Sequence, residues 1–300
     1  MIKFTAIVLT LLLIHIQIGA SQRMPFVSSA VAAVAGQQLS VSTVCQSGIR
    51  EDNTNYIYCA RRGLTEVPLF SKNNVVYDEL VLADNRITKL TGDSFSRIKV
   101  KKIDFSSTPG SYELADQAPM IGLPKAIVTY LRNLNNLRLK GFIVKTLENS
   151  ILKRLNRLEI LSLQFCSIES IELNAFEGLK NTLKELYLDG NQLQSIPTDA
   201  LLNAEFRSLR LLSLSQNNIK TINADSFGYS IMNSDLDLLF RSQIGFSSIE
   251  NIQQQQQKQQ AKSLPLSTIV KLDLSFNGLK LVDSNAFNNF NKTLEVLMLQ

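Results

Sequence analysis

Three hundred residues, 45% of them hydrophobic, are enough to build a substantial core, and the net charge of +5 is mild. The single histidine, His15, sits in an apolar leader, so a processed chain would have none. That excludes Ser-His-Asp and Cys-His catalysis and histidine-containing zinc sites, and the lack of basic–aromatic interleaving argues against nucleic acid as a partner.

In chain order, residues 1–20 read as a secretory signal. Lys3 supplies the positive start, Phe4 to Ile18 is nearly all apolar, and Gly19-Ala20 offers a small-residue exit. A second exit lies at Ala30-Val31-Ala32. An uncleaved signal anchor is the competing reading, but the core is short for a span. Residues 21–44 form a linker. Cys45 and Cys59 follow, and in an oxidising compartment they would pair, closing Gln46 to Tyr58 into a compact loop. Residues 45–76 are read as one cysteine-containing segment ahead of the repeats.

From residue 77 onward the chain repeats itself. Tyr77-Asp-Glu-Leu80-Val-Leu82-Ala-Asp-Asn85-Arg-Ile87 aligns with Leu183-Lys-Glu-Leu186-Tyr-Leu188-Asp-Gly-Asn191-Gln-Leu193. Leu209 to Ile219, with Asn217, and Ile269 to Leu279, with Asn277, repeat the pattern L-x-x-L-x-L-x-x-N-x-L. The L-x-L pair has the period of a strand with one buried face. The asparagine amide suits the bent backbone after the strand, where its polar atoms can be satisfied. Fifteen residues after the first strand leucine stand Phe95, Phe176, Leu201, Phe227 and Phe287, the expected apolar anchors of the outer arc.

The weaker units fall into the same register. Ile103-Asp-Phe105 is a strand with Thr108 in the asparagine position. Leu137-Arg-Leu139 is another, with the bulky Phe142 there. Leu161-Ser-Leu163 has Cys166, a structural thiol with no activating base in view. Leu239 to Ile244, with Ser242 in place of the first leucine, reads as a degenerate unit. Leu297-Met-Leu299 opens a last unit that stops at Gln300, and an uncapped apolar end suggests a fragment. Residues 77–300 thus hold about nine repeats, the last truncated. Insertions lengthen the coil at 107–130, where Lys125 to Leu134 suits a short helix, and at 253–266, which holds a glutamine tract.

The segment Cys59-Ala-Arg-Arg-Gly63-Leu64-Thr-Glu-Val67-Pro68 is similar to the end of the N-terminal cap of extracellular leucine-rich repeat proteins. With the signal and the repeats of about 24 residues, the chain resembles that family from Cys45 onward. It departs from the family pattern in having one cysteine pair where four cysteines are usual. Leu179-Lys-Asn-Thr-Leu183-Lys-Glu-Leu186 and Phe290-Asn-Lys-Thr-Leu294-Glu-Val-Leu297 resemble chaoptin-type arthropod adhesion proteins.

The resemblance implies an α/β leucine-rich repeat solenoid, a curved horseshoe with a parallel sheet on the concave face and loops and short helices on the convex face. It implies a binding module, not an enzyme, with no metal or cofactor. The expected role is the ectodomain of an adhesion molecule or receptor that recognises a protein or glycoprotein at the cell surface. A secreted matrix or immune-recognition protein is the alternative. Membrane attachment would lie in a C-terminal region beyond Gln300.

Residues flanking the strand leucines should face the ligand. Among them Arg138, Lys140, Tyr187 and Asp189 are the candidate contacts, since Arg and Tyr are favoured interface anchors. The competing placements are the convex side, a loop, or further repeats. Asn291-Lys-Thr293 is an N-glycosylation sequon.

Overall fold

A computed structural model describes residues 44–71, 75–87, 90–91, 94–106, 123, 125–228, 266–290 and 293–299. The signal expected over 1–20, the linker expected over 21–44 except its last residue, Asn291, the stretch from 107 to 122 and the glutamine tract lie outside them. In chain order the elements are β1 (Gln46–Ile49), β2 (Asn55–Tyr58), β3 (Val76–Val81), β4 (Lys99–Asp104), α1 (Lys125–Tyr130), β5 (Asn136–Arg138), β6 (Thr146–Leu147) and β7 (Ile160–Ser162). They continue with β8 (Ser170–Ile171), β9 (Glu185–Tyr187), α2 (Thr198–Asn203), β10 (Leu211–Ser213), β11 (Thr221–Ile222), β12 (Lys271–Asp273), β13 (Leu281–Val282), a 3-10 turn (Asn288–Phe290) and β14 (Val296–Met298).

Ten strands form one sheet in the order β1-β2-β3-β4-β5-β7-β9-β10-β12-β14. Only the hairpin β1–β2 is antiparallel. The rest is a parallel solenoid in which each coil adds one strand. One register runs through it: Ile57, Leu80, Ile103, Leu137, Leu161, Leu186, Leu212, Leu272 and Leu297 are aligned neighbours. From Leu80 to Leu272 these residues are fully buried. Slipping any strand by one residue would expose its leucines, so the apolar row fixes the register.

Four of the five anchors behave as their spacing predicts, and Phe287 does not. Phe95, Phe176, Leu201 and Phe227 are buried behind the sheet. In the last coil Phe287 is half-buried and Phe290 takes the interior, with its ring 5.1 Å from that of Phe227. Helix α1 turns Ala126, Ile127 and Val128 into the core, as expected for the start of that helix, although it ends at Tyr130. Two further parallel pairs, β6–β8 and β11–β13, lie in the return segments and had no counterpart in the sequence reading.

One expectation is corrected. The degenerate unit from Leu239 to Ile244 was to contribute a strand. Instead β10 pairs directly with β12, Leu212 opposite Leu272, which leaves no room for a strand between them. Ser242 replaces the leucine that such a strand would have to bury. Residues 239–244 themselves lie outside the described residues.

The asparagines tie adjacent coils together. In Asn191, Nδ2 donates to Leu188 in its own coil at 2.7 Å and to Leu163 in the coil before at 2.9 Å. Its Oδ1 accepts from the N–H groups of Cys166 and Ile168. Asn85, Asn217 and Asn277 repeat this, donating both to their own coil and to the preceding one. Cys166 stands in the same position and donates its thiol to the Leu139 carbonyl at 3.0 Å. Phe142 makes no such bond. Its ring packs edge-on against Phe105 at 6.0 Å, and β5 keeps its register on both sides.

Candidate functional site

The cap is pinned to the first repeat. Cys45 and Cys59 form the expected disulfide, with Cα atoms 4.5 Å apart. The N–H of Cys59 donates to Val81 at 2.8 Å, so the bridge is continuous with the sheet. Burial works against the Glu79 carboxylate, but hydrogen bonds from Lys102 and Arg50 outweigh it and hold the group below its usual range. Those contacts are 2.5 Å and 2.6 Å. The Arg50 guanidinium also lies 4.6 Å from the centre of the Tyr56 ring. The cap end of the strand face is therefore closed by its own ion pairs.

Beyond it the strand face forms ordered rows. The register places Val81, Asp104, Arg138, Ser162, Tyr187, Ser213, Asp273 and Met298 side by side, one per strand. A parallel row runs Glu79, Lys102, Asn136, Ile160, Glu185, Leu211, Lys271 and Val296. Neighbouring strands are about 4.8 Å apart, so each row is a ruler of side chains.

The four candidate contacts occupy different situations. Arg138 is exposed at the end of β5. Lys140, two residues on, holds its ammonium 5.0 Å from the centre of the Phe165 ring. Phe165 lies against bare backbone: a Cβ on Gly190, whose φ is +65°, would come within 2.4 Å of the ring. Tyr187 is half-buried and donates its hydroxyl to Glu185 at 2.8 Å. Burial, then the hydrogen bond to that carboxylate, pushes the phenol up to about 12, so it stays a donor at neutral pH.

Asp189 is different. It is buried, with 6% of its surface exposed, at the centre of a network. Ser213 and Ser215, from the next coil, donate their hydroxyls to one carboxylate oxygen, and Gln164, from the coil before, donates to the other at 2.8 Å. Its role in this geometry is to fix the floor beneath Tyr187. The sequence brought Asp189 forward as a surface group because its partners lie a full coil away in either direction.

Phe165 is a residue that sequence reasoning passed over. It precedes the asparagine position and has a φ of +54°, the left-handed conformation that bulky residues rarely adopt. Asp84, Gln216 and Phe276 share that conformation at the equivalent position, so the turn is a property of the repeat. The exposed aromatic ring is what distinguishes Phe165 and Phe276 there. Cys166, next to Phe165, is fully buried, and burial pushes its thiol up to about 12. Among the described residues no cluster of histidine, cysteine, aspartate or glutamate is arranged to hold a metal ion, and no helix is long and apolar enough to cross a membrane.

A family described as leucine rich repeat matches residues 181–229. The chain is 31% identical over 108 residues to biglycan of Xenopus laevis. That stretch is 36% of this chain and 28% of biglycan, so the chain spans under a third of that relative's length. Among solved structures it is similar to a chain of the TLR13–ssRNA13 complex, with a TM-score of 0.51 at 23% identity. The match covers 77% of this chain and 27% of that one. Fold and likenesses agree on the architecture.

Proposed function

We propose that this leucine-rich repeat solenoid is an extracellular recognition module that binds a protein or glycoprotein on its strand face. The observation that carries the reading is the pair of uninterrupted side-chain rows, held in register by the buried leucines beneath them. The face is built on continuously paired strands, so contacts are pre-organised and little ordering cost falls on binding. Arg138 and Tyr187 are the anchors, Lys140 supports them beside Phe165, and Asp189 sets the floor. The Cys45–Cys59 bridge supports an oxidising, secretory-pathway location. Within that reading the protein serves as the ectodomain of an adhesion molecule or receptor, in the manner of the arthropod adhesion proteins its outer arc resembles. A secreted matrix or immune-recognition protein uses the same face.

Nucleic acid is not part of this reading. Along the face Glu79, Asp104, Glu185 and Asp273 alternate with Lys102, Arg138, Lys140 and Lys271. A phosphate backbone calls for a continuous basic stripe. The test is adhesion of cultured cells to surfaces coated with the purified chain, for wild type and for an Arg138→Glu, Tyr187→Ala double variant with the same melting temperature. Adhesion lost in the variant supports the reading. Undiminished adhesion moves the contact surface elsewhere, and the absence of adhesion to any cell type, with no binding to matrix preparations, overturns it.

A further inference from the structure

The row through the middle of the strand face has a second-order pattern. Arg138, Ser162, Tyr187, Ser213 and Asp273 are consecutive neighbours on β5, β7, β9, β10 and β12. Charged or aromatic side chains alternate with serines. Ser162 is 6% exposed and Ser213 is 5% exposed, so each serine is a gap between two projecting groups. The projecting groups therefore recur every second strand, about 9.6 Å apart. Three residues of extended polypeptide span about 10 Å, at 3.3 Å each. The full distance from Arg138 to Asp273 is four strand steps, about 19 Å, and six extended residues cover about 20 Å. The two spacings are commensurate.

The charges have a fixed order as well. Arg138 is exposed at one end of the row. In the middle, the phenol of Tyr187 is engaged by Glu185, so it is the ring that remains for a ligand. At the other end one oxygen of Asp273 accepts from the N–H and hydroxyl of Ser275, at 2.9 Å and 2.6 Å, and among the described residues no side chain donates to the other oxygen, which can take a cation. The buried Gln164–Asp189–Ser213–Ser215 network underlies this stretch and holds the serine gaps open.

Resting on the reading of the strand face as the binding surface, we infer that its occupant is an extended segment of a partner protein laid across the strands. This segment places an acidic side chain on Arg138, an apolar or aromatic one on Tyr187 three residues later, and a basic one on Asp273 three residues after that. The two intervening pairs of residues sit over Ser162 and Ser213, in the gaps between the projecting groups. An anionic glycan would satisfy Arg138 and Lys140 but would meet Glu185 and Asp273 as like charges.

The experiment is selection from a yeast-displayed library of random extended nonapeptides against the full chain, followed by the same selection against an Arg138→Glu variant and an Arg138→Glu, Asp273→Lys variant. Arg138 is exposed, so its substitution should leave the fold unchanged, and thermal melting checks this. The expected result is an enriched acidic–x–x–apolar–x–x–basic order for the wild type, loss of the acidic preference with the single variant, and reversal of the charge order with the double variant. Enrichment without charge order, or an order that ignores the substitutions, overturns the inference. So does preferential binding of hyaluronan or of sialylated glycans with no selected peptide. Each of those results leaves the wider recognition reading standing whenever the cell-adhesion loss with Arg138→Glu, Tyr187→Ala is seen, so the two can fail separately.

Discussion

The coils that carry Asn191, Asn217 and Asn277 and the two that carry Phe142 and Cys166 have the same strand register but different seams. In the first group each asparagine clamps the coil before it, donating to the carbonyls of Leu163, Leu188 and Leu214 in turn. In the second group Phe142 offers no polar atom, and the Cys166 thiol takes over the donation to Leu139, with a longer contact to the Gln164 carbonyl at 3.5 Å. The strands do not notice: Leu137 and Leu161 are buried and aligned as well as Leu186 and Leu212. Register and seam are therefore separate devices. The leucine rows decide where each strand sits, and the polar position decides how tightly one coil holds the next.

That separation can be broken from either side. The largest effect belongs to the leucine row. Leu186→Ala opens a cavity between fully packed coils and should lower unfolding free energy by about 3 kcal/mol in urea titration. Leu297, which is 36% exposed, should lose under about 1 kcal/mol on the same change. Equal losses at the two sites would mean that the row does not set the stability.

The next effect belongs to the seam. Asn191→Ala leaves the N–H groups of Cys166 and Ile168 and the Leu163 carbonyl without their partner, while Leu188 keeps its bond from Asn217, at a cost of about 2 to 3 kcal/mol. Cys166→Ala removes one weak donor and should cost about 1 kcal/mol, including the lost volume. If the two substitutions prove equivalent by thermal melting, the clamp is not what distinguishes the coils.

The smallest effect is a matter of pH. The Cys166 thiol rises from an ordinary value of 9.0 to about 12 in the fold. Its contribution is complete below 9, where both states hold the proton, and is lost as pH climbs toward 12, because the unfolded chain releases the proton first. Native protein at pH 9 should resist iodoacetamide, while protein in urea at the same pH is alkylated, with mass spectrometry as the readout. Rapid alkylation without urea would show that the mid-solenoid seam opens locally.

Much of this architecture was legible because it is periodic. Leu80, Leu186, Leu212 and Leu272 announce a strand by their spacing alone, and Phe95, Phe176 and Phe227 confirm the step. The candidate site was legible only in outline. Which positions flank the strand leucines follows from alternation, so Arg138 and Tyr187 could be named. Whether a flanking group is free does not follow, since Asp189 is consumed by Ser213 and Ser215 from another coil, and Glu79 by Arg50 from the cap. Such pairings depend on how coils stack, and no local stretch of sequence encodes them. The direct pairing of β10 with β12 was hidden for a related reason. A weak apolar pattern around Leu239 resembles a repeat, and only the sheet reveals that β10 and β12 are direct neighbours.

The closing of β10 onto β12 bears on how the molecule assembles. Adjacent strands elsewhere bring together residues about one repeat apart, as Leu186 and Leu212 do, whereas Leu212 must find Leu272 across sixty residues. On chain statistics that closure costs about 0.8 kcal/mol more than an ordinary step. In an array where each unit is stabilised by its neighbours, such a step divides the chain into two kinetic blocks. The block up to β10 should propagate first and template the arrival of β12. The expected signature is slower acquisition of hydrogen-exchange protection at the amide of Leu214, which donates to Asp273, than at that of Leu188, which donates to Ser213 within the earlier block.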